Sequence, residues 1–416
     1  MQEIDLESYH EFFQKTLKVQ EGFAGLRDPR PRPQIPAGVI AQAIVYGLSM
    51  GQRSLLSLDN VLSVSDLGEV LGFKRFPVCS DSLMAEVIKG MDPQQVREIL
   101  YRQAEVLIRL GLKGSSGGEG LWACALDGST MLGREVVVCY WVGCEPYVPL
   151  DWEPVLKGEN ETEAAKRLLP RVLKRFGWAI RVVVGDGLYT GWFFKICLAE
   201  GKEAVAKLRE EDARGLKIVQ AARQRRQQLQ EYGVPAQEGV QEEEGCAYQL
   251  REVGEWAAFG LREKLRVIWS WQKELKGQKR KEEHWLLTTL KREKVPAVRI
   301  RGLGRSRWRI ENNGFRETNQ KMGRKHRYTK DEKGAQVMMG LMWVAHGGLQ
   351  GYVLLKRQSD PHWRSPKHPV DFLMKLLLGS LLALKPKGKP DSEPMQGLLF
   401  SERTLRRLRL RPVASG

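Results

Sequence analysis

One short break divides the sequence into two differently patterned parts. The segment Gly114-Ser-Ser-Gly-Gly-Glu-Gly120 holds no large apolar residue and is typical of a flexible linker. Before it, apolar residues recur at helical spacing, and the last predicted helix ends near Leu112. After it, short apolar and β-branched runs predict strands. The chain is therefore neither a single helical bundle nor a single all-β domain, and its 416 residues indicate several domains.

The part after the linker predicts an α/β fold. The predicted strands and helices follow the order β-β-β-α-β-α-β. They are strands at Leu121–Leu126, Glu135–Val142, Pro146–Leu150, Arg181–Gly185 and Ala204–Leu208, and helices at Glu161–Phe176 and Trp192–Glu200. A three-stranded meander followed by right-handed crossovers gives a mixed sheet flanked by helices.

Changes of pattern divide the chain into five predicted regions. They are an all-helical N-terminal domain (1–116), the first part of the α/β core (117–209), a β-rich insertion (210–292), the second part of the core (293–350) and a basic C-terminal region (351–416).

The positive charge is concentrated in two stretches. Residues 297–330 hold eleven Lys and Arg against two Glu, and residues 352–416 hold thirteen against five acids. Together they match the net charge of +17. Such a concentration predicts a polyanionic partner, with nucleic acid as the main hypothesis and a solvated basic surface or an acidic membrane as the alternative.

Other classes of protein are disfavoured. The six cysteines include no Cys-x-x-Cys pair and no matching histidine spacing, so we expect reduced thiols rather than a zinc site or a disulfide framework. No segment is long and apolar enough to span a bilayer, and the first residues do not resemble a signal peptide. We therefore expect a soluble protein of the cytoplasm.

One acid lies within the basic stretch. Glu311 is part of Arg305-Ser-Arg-Trp-Arg-Ile-Glu-Asn-Asn-Gly-Phe315. If this segment is helical, Trp308, Glu311 and Phe315 share a face, and Arg307 lies one turn before the acid. The pattern predicts that Glu311 points inward, where its charge needs compensation. An arginine ion pair and a metal ion are both open explanations.

Two aspartates follow predicted strands. Asp127 comes directly after Leu121–Leu126, and Asp186 directly after Arg181–Gly185. Each alone is also consistent with an ordinary Asp-Gly turn. Together they predict two carboxylates facing one another at the sheet edge where α/β folds bind ligands. With Glu311 they form a hard oxygen donor set that favours Mg²⁺ or Mn²⁺ and suits phosphoryl transfer on a nucleic-acid backbone.

Three segments resemble the DDE transposases of bacterial insertion sequences, particularly those with a β-strand insertion before the third acid. The segments are Leu126-Asp-Gly-Ser-Thr130, Gly185-Asp-Gly-Leu-Tyr189 and Arg307-Trp-Arg-Ile-Glu-Asn-Asn-Gly-Phe315. The resemblance covers roughly Leu121 to Gly348 and implies an RNase H-like core within the α/β fold. It also implies that Asp127, Asp186 and Glu311 are the catalytic triad and bind two Mg²⁺ or Mn²⁺ ions per active site.

The resemblance also implies contacts with DNA. Arg307 matches the arginine of the family's Tyr-Arg-Glu-Lys signature, which helps to hold DNA phosphate. The tyrosine and the lysine of that signature fall on Gly304 and Thr318, so Lys321 or Lys325 is the candidate replacement for the lysine. An aromatic residue of the insertion is expected near a flipped base, and a core role is the alternative. The candidates are Trp269, Trp271 and Trp285.

The sequence therefore predicts a transposase that binds the terminal inverted repeats of its element, frees a 3′-hydroxyl and directs it onto target DNA. We expect residues 1–116 and the basic C-terminal region to contact DNA ends or partner proteins. We also expect a homodimer in the synaptic complex, located in the bacterial cytoplasm with no membrane partner. The alternatives are an RNase H-like nuclease without strand transfer and a noncatalytic DNA-binding protein whose acids are structural.

Overall fold

The computed structural model of the chain describes residues 5–65, 67–71, 79–114, 121–189, 191–208, 213–241, 246–274, 281–364 and 369–383. Most of the linker and the basic tail from 384 onward lie outside these residues. No helix within the described ranges is long and apolar enough to cross a membrane.

Helices form the N-terminal part of the chain, as predicted. They are α1 (Leu6–Glu11), a π-helix (Phe12–Thr16), α2 (Gln20–Ala24), α3 (Ala37–Ser49), α4 (Leu55–Val64), α5 (Leu67–Val70), α6 (Asp81–Gly90) and α7 (Pro93–Gly114). Local chemistry sets their starts: the Ser54 hydroxyl accepts a hydrogen bond from the Ser57 amide at 3.0 Å at the start of α4.

A single mixed sheet of nine strands forms the centre of the described structure, in the order β3-β2-β1-β4-β5-β9-β8-β7-β6. The strands are β1 (Ala123–Met131), β2 (Arg134–Trp141), β3 (Val148–Pro154), β4 (Val182–Gly185), β5 (Glu203–Lys207), β6 (Gln237–Gln241), β7 (Cys246–Ala257), β8 (Lys264–Glu274) and β9 (Lys281–Thr288).

The first five strands confirm the predicted mixed sheet flanked by helices. β1, β2 and β3 form an antiparallel meander, and β4 and β5 run parallel to β1. Helix α8 (Glu161–Phe176) connects β3 to β4, and α9 (Gly191–Ala199) connects β4 to β5. The valines of β4 are completely buried because parallel strands are covered on both faces.

The β-rich insertion extends this sheet. Helix α10 (Ala213–Glu231) comes first, and β9 then pairs antiparallel with β5, with Val205 opposite Thr288. The insertion strands therefore continue the hydrogen-bonded ladder of the core, and β6 was not among the strands predicted from the sequence.

The chain after the insertion returns to the core through helices. They are α11 (Ala297–Ser306), a π-helix (Ile310–Phe315), α12 (Arg316–Lys321), α13 (Glu332–Ser359), a short 3₁₀-helix (Pro361–Arg364) and α14 (Pro369–Ala383). Helix α13 is buried along most of its length and packs against both the N-terminal helices and β3. Gly340 permits this packing, because a Cβ there would lie 2.6 Å from Val96 and 2.8 Å from Trp152.

Candidate active site

The register of two parallel strands brings Asp127 and Asp186 together. Ala125 of β1 lies opposite Val184 of β4. The same offset continued by two residues places Asp127 beside Asp186, which directly follows β4 as predicted. The charge of Asp186 acts on the Asp127 carboxyl, so the two carboxylates lie within electrostatic reach of one another.

Asp127 lies within a strand and does not follow one. β1 extends to Met131, and Asp127 pairs with Val138 of β2. The predicted strand end at Leu126 was therefore wrong. The parallel pairing of β1 with β4 ends near Asp127, whereas the antiparallel pairing of β1 with β2 continues past it. The Asp-Gly-Ser-Thr sequence is typical of a turn, but here the partner strand holds it extended.

An arginine links the strand to the helical segment that carries the third acid. One terminal guanidinium nitrogen of Arg307 lies 2.8 Å from a carboxylate oxygen of Asp127 and 3.0 Å from one of Glu311. Asp127 is largely enclosed, with a side chain that is 12% exposed. The Glu311 side chain is 51% exposed. The inward orientation predicted for Glu311 was therefore wrong, since its carboxylate lies at the open mouth of the site.

The backbone that carries Glu311 is a π-helix, Ile310–Phe315. Such segments insert an extra residue into a helical turn and are frequent at functional sites. Here the change of period explains the error in orientation, because the predicted face shared by Trp308, Glu311 and Phe315 assumed regular α-helical spacing. Phe315 is buried while Trp308 is 40% exposed.

A buried histidine supports this π-helix from behind. His346 of α13 is completely buried, and its Nε2 lies 2.8 Å from the Asn313 carbonyl oxygen and 3.0 Å from a Glu317 carboxylate oxygen. Because both of those oxygens accept, Nε2 carries the proton and donates. Nδ1 on the other side of the ring lies 3.1 Å from the Tyr140 hydroxyl. The network ties the π-helix to β2 and α13.

Crowding of carboxylates perturbs Asp127. Burial raises its pKa to about 7; Arg307 acts in the opposite direction, and the charges of Glu311, Asp186 and Glu161 raise it further. Burial lowers the pKa of Arg307, but the surrounding acids outweigh burial and leave that pKa above its usual value. A site with this balance favours an additional positive charge.

The residues fit a hard divalent cation in chemistry, because carboxylate oxygens are the ligands that Mg²⁺ and Mn²⁺ prefer. Across the described ranges, no three Asp, Glu, His or Cys side chains are grouped so that they could hold one ion in this conformation. The Arg307 guanidinium lies between Asp127 and Glu311, where it acts as a stand-in cation. Arg307 must therefore leave both acids before one ion can contact them.

Comparison with known proteins found a similarity in the central region. Residues 148–346 match the family model of the transposase DDE domain. The central region of the chain is thus similar to that family. The matched range begins at β3, so it contains Asp186 and Glu311 and leaves Asp127 outside. No curated protein matches the chain. Among solved structures, the chain is similar to one described as a piggyBac transposase synaptic complex with hairpin DNA, with a TM-score of 0.42 and 11% identity over 98% of this chain and 84% of that chain.

The two departures from the DDE signature have structural causes. A Cβ at Gly304 would lie 2.9 Å from the end of the Leu286 side chain, so a tyrosine there would require Leu286 to move. Thr318 is completely buried, and its hydroxyl donates to the Gly314 carbonyl at 2.7 Å. A lysine at 318 would bury its charge inside the protein, which is costly.

The two candidate lysines lie in different surroundings. Lys321 forms an ion pair with Asp371 of α14, so its charge is already paired within the protein. Lys325 is exposed in the loop after Gly323. That loop is fastened to β1, because the Arg324 guanidinium donates to the Ser129 hydroxyl at 2.7 Å. Of the two lysines, Lys325 is the better placed to meet a DNA phosphate.

Two of the three candidate tryptophans are enclosed by the protein. Trp269 is 5% exposed, donates to Glu283 at 2.6 Å and lies under the Arg226 guanidinium. Trp285, opposite Trp269 in the β8–β9 ladder, is 2% exposed. Both rings are buried in this conformation, which is the core role given above as the alternative, and base stacking by either one stays a prediction. Trp271 is half-buried and stays a candidate.

Sequence reasoning missed a fourth acid near the site. Glu161 is the first residue of α8 and accepts a hydrogen bond from the buried Tyr189 hydroxyl. Its charge is among those that act on Asp127. No sequence pattern distinguishes this acid, because Glu161 and Glu163 together are typical of the ordinary acidic first turn of a helix.

Proposed function

We propose that this protein is a DNA transposase that uses Mg²⁺ or Mn²⁺ to hydrolyse a phosphodiester at each end of its element and then joins the freed 3′-hydroxyl to target DNA. The observation that supports this most strongly is the meeting of acids from separate elements: Arg307 contacts Asp127 and Glu311, and the β1–β4 register brings Asp186 alongside. The transposase DDE domain match supports the same reaction class.

In this proposal the three acids hold the cations, and each contributes differently. Asp127 lies within β1 and Asp186 directly follows β4, so the sheet holds both and fixes the position of the site. Glu311 lies at the solvent-open side, where a DNA backbone can approach it. Divalent ions held by these residues would supply charge stabilisation for phosphodiester hydrolysis and transfer, which is the chemistry that carboxylate sites of this kind support.

Arg307 has two successive partners in the proposal. It neutralises Asp127 and Glu311 while they face no cation. Once it leaves them, its planar guanidinium can pair with a DNA phosphate through two hydrogen bonds. Exposed Lys325, His326 and Arg327, beside the strand that carries Asp127, extend the positive surface along which a DNA strand would lie.

Glu311→Gln tests the role of the acid triad. The substrate is a plasmid that carries the DNA from both sides of the coding region. The variant is expected to bind this DNA as the wild type does and to lose Mg²⁺-dependent cleavage. Glu332→Gln, at an exposed glutamate in the first turn of α13, is the matched control and should cleave normally. Unchanged cleavage by Glu311→Gln would remove Glu311 from the mechanism.

A second assay separates transposition from simple hydrolysis. Precut element ends with free 3′-hydroxyls are mixed with a target plasmid, the protein and Mg²⁺. We expect products in which the ends are covalently joined to the plasmid. Products that only become shorter would establish a nuclease instead.

The mass of the complex between the protein and two element ends, measured by light scattering, tests the proposed homodimer. A complex that contains a single protomer would exclude the homodimer.

A further inference from the structure

The loop between α12 and α13 carries positive charge and no acid. Its sequence, Gly323-Arg-Lys-His-Arg-Tyr-Thr-Lys330, contains four Lys and Arg residues and one His. Lys325, Arg327 and Lys330 are exposed. In the part of the chain that the structure describes, no acidic side chain pairs with any of the three. Their charge is therefore available to a partner outside the chain.

Both ends of this loop are fastened to the β1–β2 hairpin. At its start, the Leu132 amide donates to the Arg324 carbonyl at 2.7 Å, and the Arg324 guanidinium donates to the Ser129 hydroxyl at 2.7 Å. At its end, the Arg134 guanidinium donates to the Lys330 carbonyl at 2.8 Å. A loop that only exposes charge to solvent needs no such anchors. These hydrogen bonds hold the backbone that carries the cations in one conformation.

The turn into the loop depends on Gly323. Its φ is 67°, in the left-handed region. A Cβ there would lie 2.6 Å from the Arg53 carbonyl oxygen. Glycine is required because it adopts this backbone conformation without strain and leaves room for the neighbouring carbonyl. The close approach brings the exposed Arg53 of the N-terminal helices next to the loop and adds a further cation to it.

The anchor at Arg324 places the loop on the catalytic side of the sheet. Ser129 is two residues after Asp127 in the same strand, so the two side chains lie on one face. The Arg324 guanidinium also lies 4.7 Å from the ring centroid of Phe315, the last residue of the π-helix that carries Glu311. Arg324 itself is 8% exposed. It therefore fixes the loop against both elements that supply the proposed catalytic acids.

We propose that residues 323–330, together with Arg53, form a preformed clamp for the phosphate backbone of DNA. We call this surface the backbone clamp. The inference rests on the proposed function, because it names the surface that holds the DNA of that reaction. Exposed Lys and Arg side chains hold phosphates whatever the base sequence. Because the loop is already fixed, less conformational freedom is lost when DNA binds.

The salt dependence of DNA binding tests the backbone clamp. Affinity is measured by fluorescence anisotropy for the full-length protein in EDTA, with an element-end duplex and with an unrelated duplex of equal length. In Lys325→Gln the slope of log affinity against log salt concentration should become shallower by about 1, because one phosphate contact is lost. Lys174→Gln is the control and should keep the wild-type slope. Lys174 is exposed on α8, about 20 Å along that helix from its first residue.

The two duplexes distinguish the sources of the bound backbone. A shallower slope with both identifies a contact shared by element and target DNA, and a shallower slope with the unrelated duplex alone assigns the backbone clamp to target DNA. Unchanged slopes with both would make the loop a solvated basic surface and would overturn the proposal. A change with the element end alone would also overturn it, because that contact would depend on sequence.

Gly323→Ala tests whether the clamp must be preformed. The substitution keeps every charge but disturbs the turn, so affinity for both duplexes should fall several-fold. Gly201→Ala is the matched control, because Gly201 is also left-handed, with a φ of 65°, but a Cβ there would meet open space. Wild-type affinity in folded Gly323→Ala would overturn a preformed clamp. If Gly323→Ala fails to fold, as judged by its unfolding temperature, Lys325→Gln still decides the proposal.

The EDTA condition separates this inference from the proposed function, because binding is measured without cleavage. If Lys325→Gln changes the slope but the wild type neither cleaves nor joins DNA, the backbone clamp stands and the proposed reaction falls. If the wild type is active and the slopes do not change, the backbone clamp alone falls. A wild type that binds neither duplex would overturn both.

Discussion

Replacing Asp127 with asparagine should make the metal-free protein more stable at alkaline pH. Burial and three neighbouring carboxylates raise the Asp127 pKa to about 7 in the folded protein. The unfolded chain has an ordinary aspartate pKa of about 3.9. Between these values the folded state holds a proton that the unfolded state has released, so raising the pH through this window destabilises the wild type.

The size of the effect follows from the width of that window. A difference of about three pKa units at about 1.4 kcal/mol each gives an upper bound of about 4 kcal/mol for the stability that the wild type loses by pH 8. About 1.5 kcal/mol of this stability is already lost at pH 5. Asparagine does not titrate, so the stability of Asp127→Asn relative to the wild type should increase by roughly 2 to 3 kcal/mol from pH 5 to pH 8.

Urea unfolding in EDTA at pH 5 and pH 8 measures this change. The comparison between two pH values removes any constant effect of the substitution on packing or on the contact with Arg307. Glu163→Gln, an exposed acid in the first turn of α8, gives the background. Parallel pH profiles for Asp127→Asn and the wild type would refute the reasoning, because they would show that Asp127 titrates normally despite its burial and its acidic neighbours.

Three further substitutions test the supporting structure by thermal unfolding. Gly128→Ala should destabilise the protein by about 1 to 3 kcal/mol, because the added Cβ meets the Glu161 carboxylate. Gly302→Ala, in an open position of α11, is the control and should stabilise the protein by about 0.5 to 1 kcal/mol. Equal shifts of the unfolding temperature in the two variants would contradict the close approach of Glu161 to Gly128. His346→Ala should destabilise by about 1 to 3 kcal/mol and reduce DNA cleavage, because buried partners behind the Glu311 segment lose their bonds; a neutral result would show that the π-helix does not depend on it. Asp151→Asn should cost about 3 to 5 kcal/mol, since it leaves the buried Arg97 without its carboxylate at 2.8 Å; a cost below about 1 kcal/mol would be inconsistent with a buried pair.

Elements with a strong local pattern were predictable from the sequence. Helix α8 was predicted at the residues where it lies, because its apolar stripe is regular and Asn160 caps it. The valines of β4 identified a buried strand in the same way. Strand β6 was missed, since Gln237–Gln241 has one β-branched residue and becomes a strand only by pairing with β7.

The candidate site was predictable in its residue types and less so in its geometry. The three acids and Arg307 were identified from the sequence, and the structure places Arg307 between two of them. The exposure of Glu311 was not predictable, because a π-helix changes which side chains share a face and leaves no local mark in the sequence. Glu161 was missed for another reason: its relation to the site depends on contacts with Gly128 and Tyr189 that only the tertiary fold creates.

Iron-directed cleavage of the polypeptide tests most directly whether the acids share one cation site. Fe²⁺ bound in place of Mg²⁺ generates hydroxyl radicals with ascorbate and peroxide, and these cut the backbone near the ion. We predict cuts close to residues 127, 186 and 311, suppressed by excess Mg²⁺ and absent in Asp186→Asn. Cuts at only one of the three positions, or a pattern that Mg²⁺ does not suppress, would contradict a shared site.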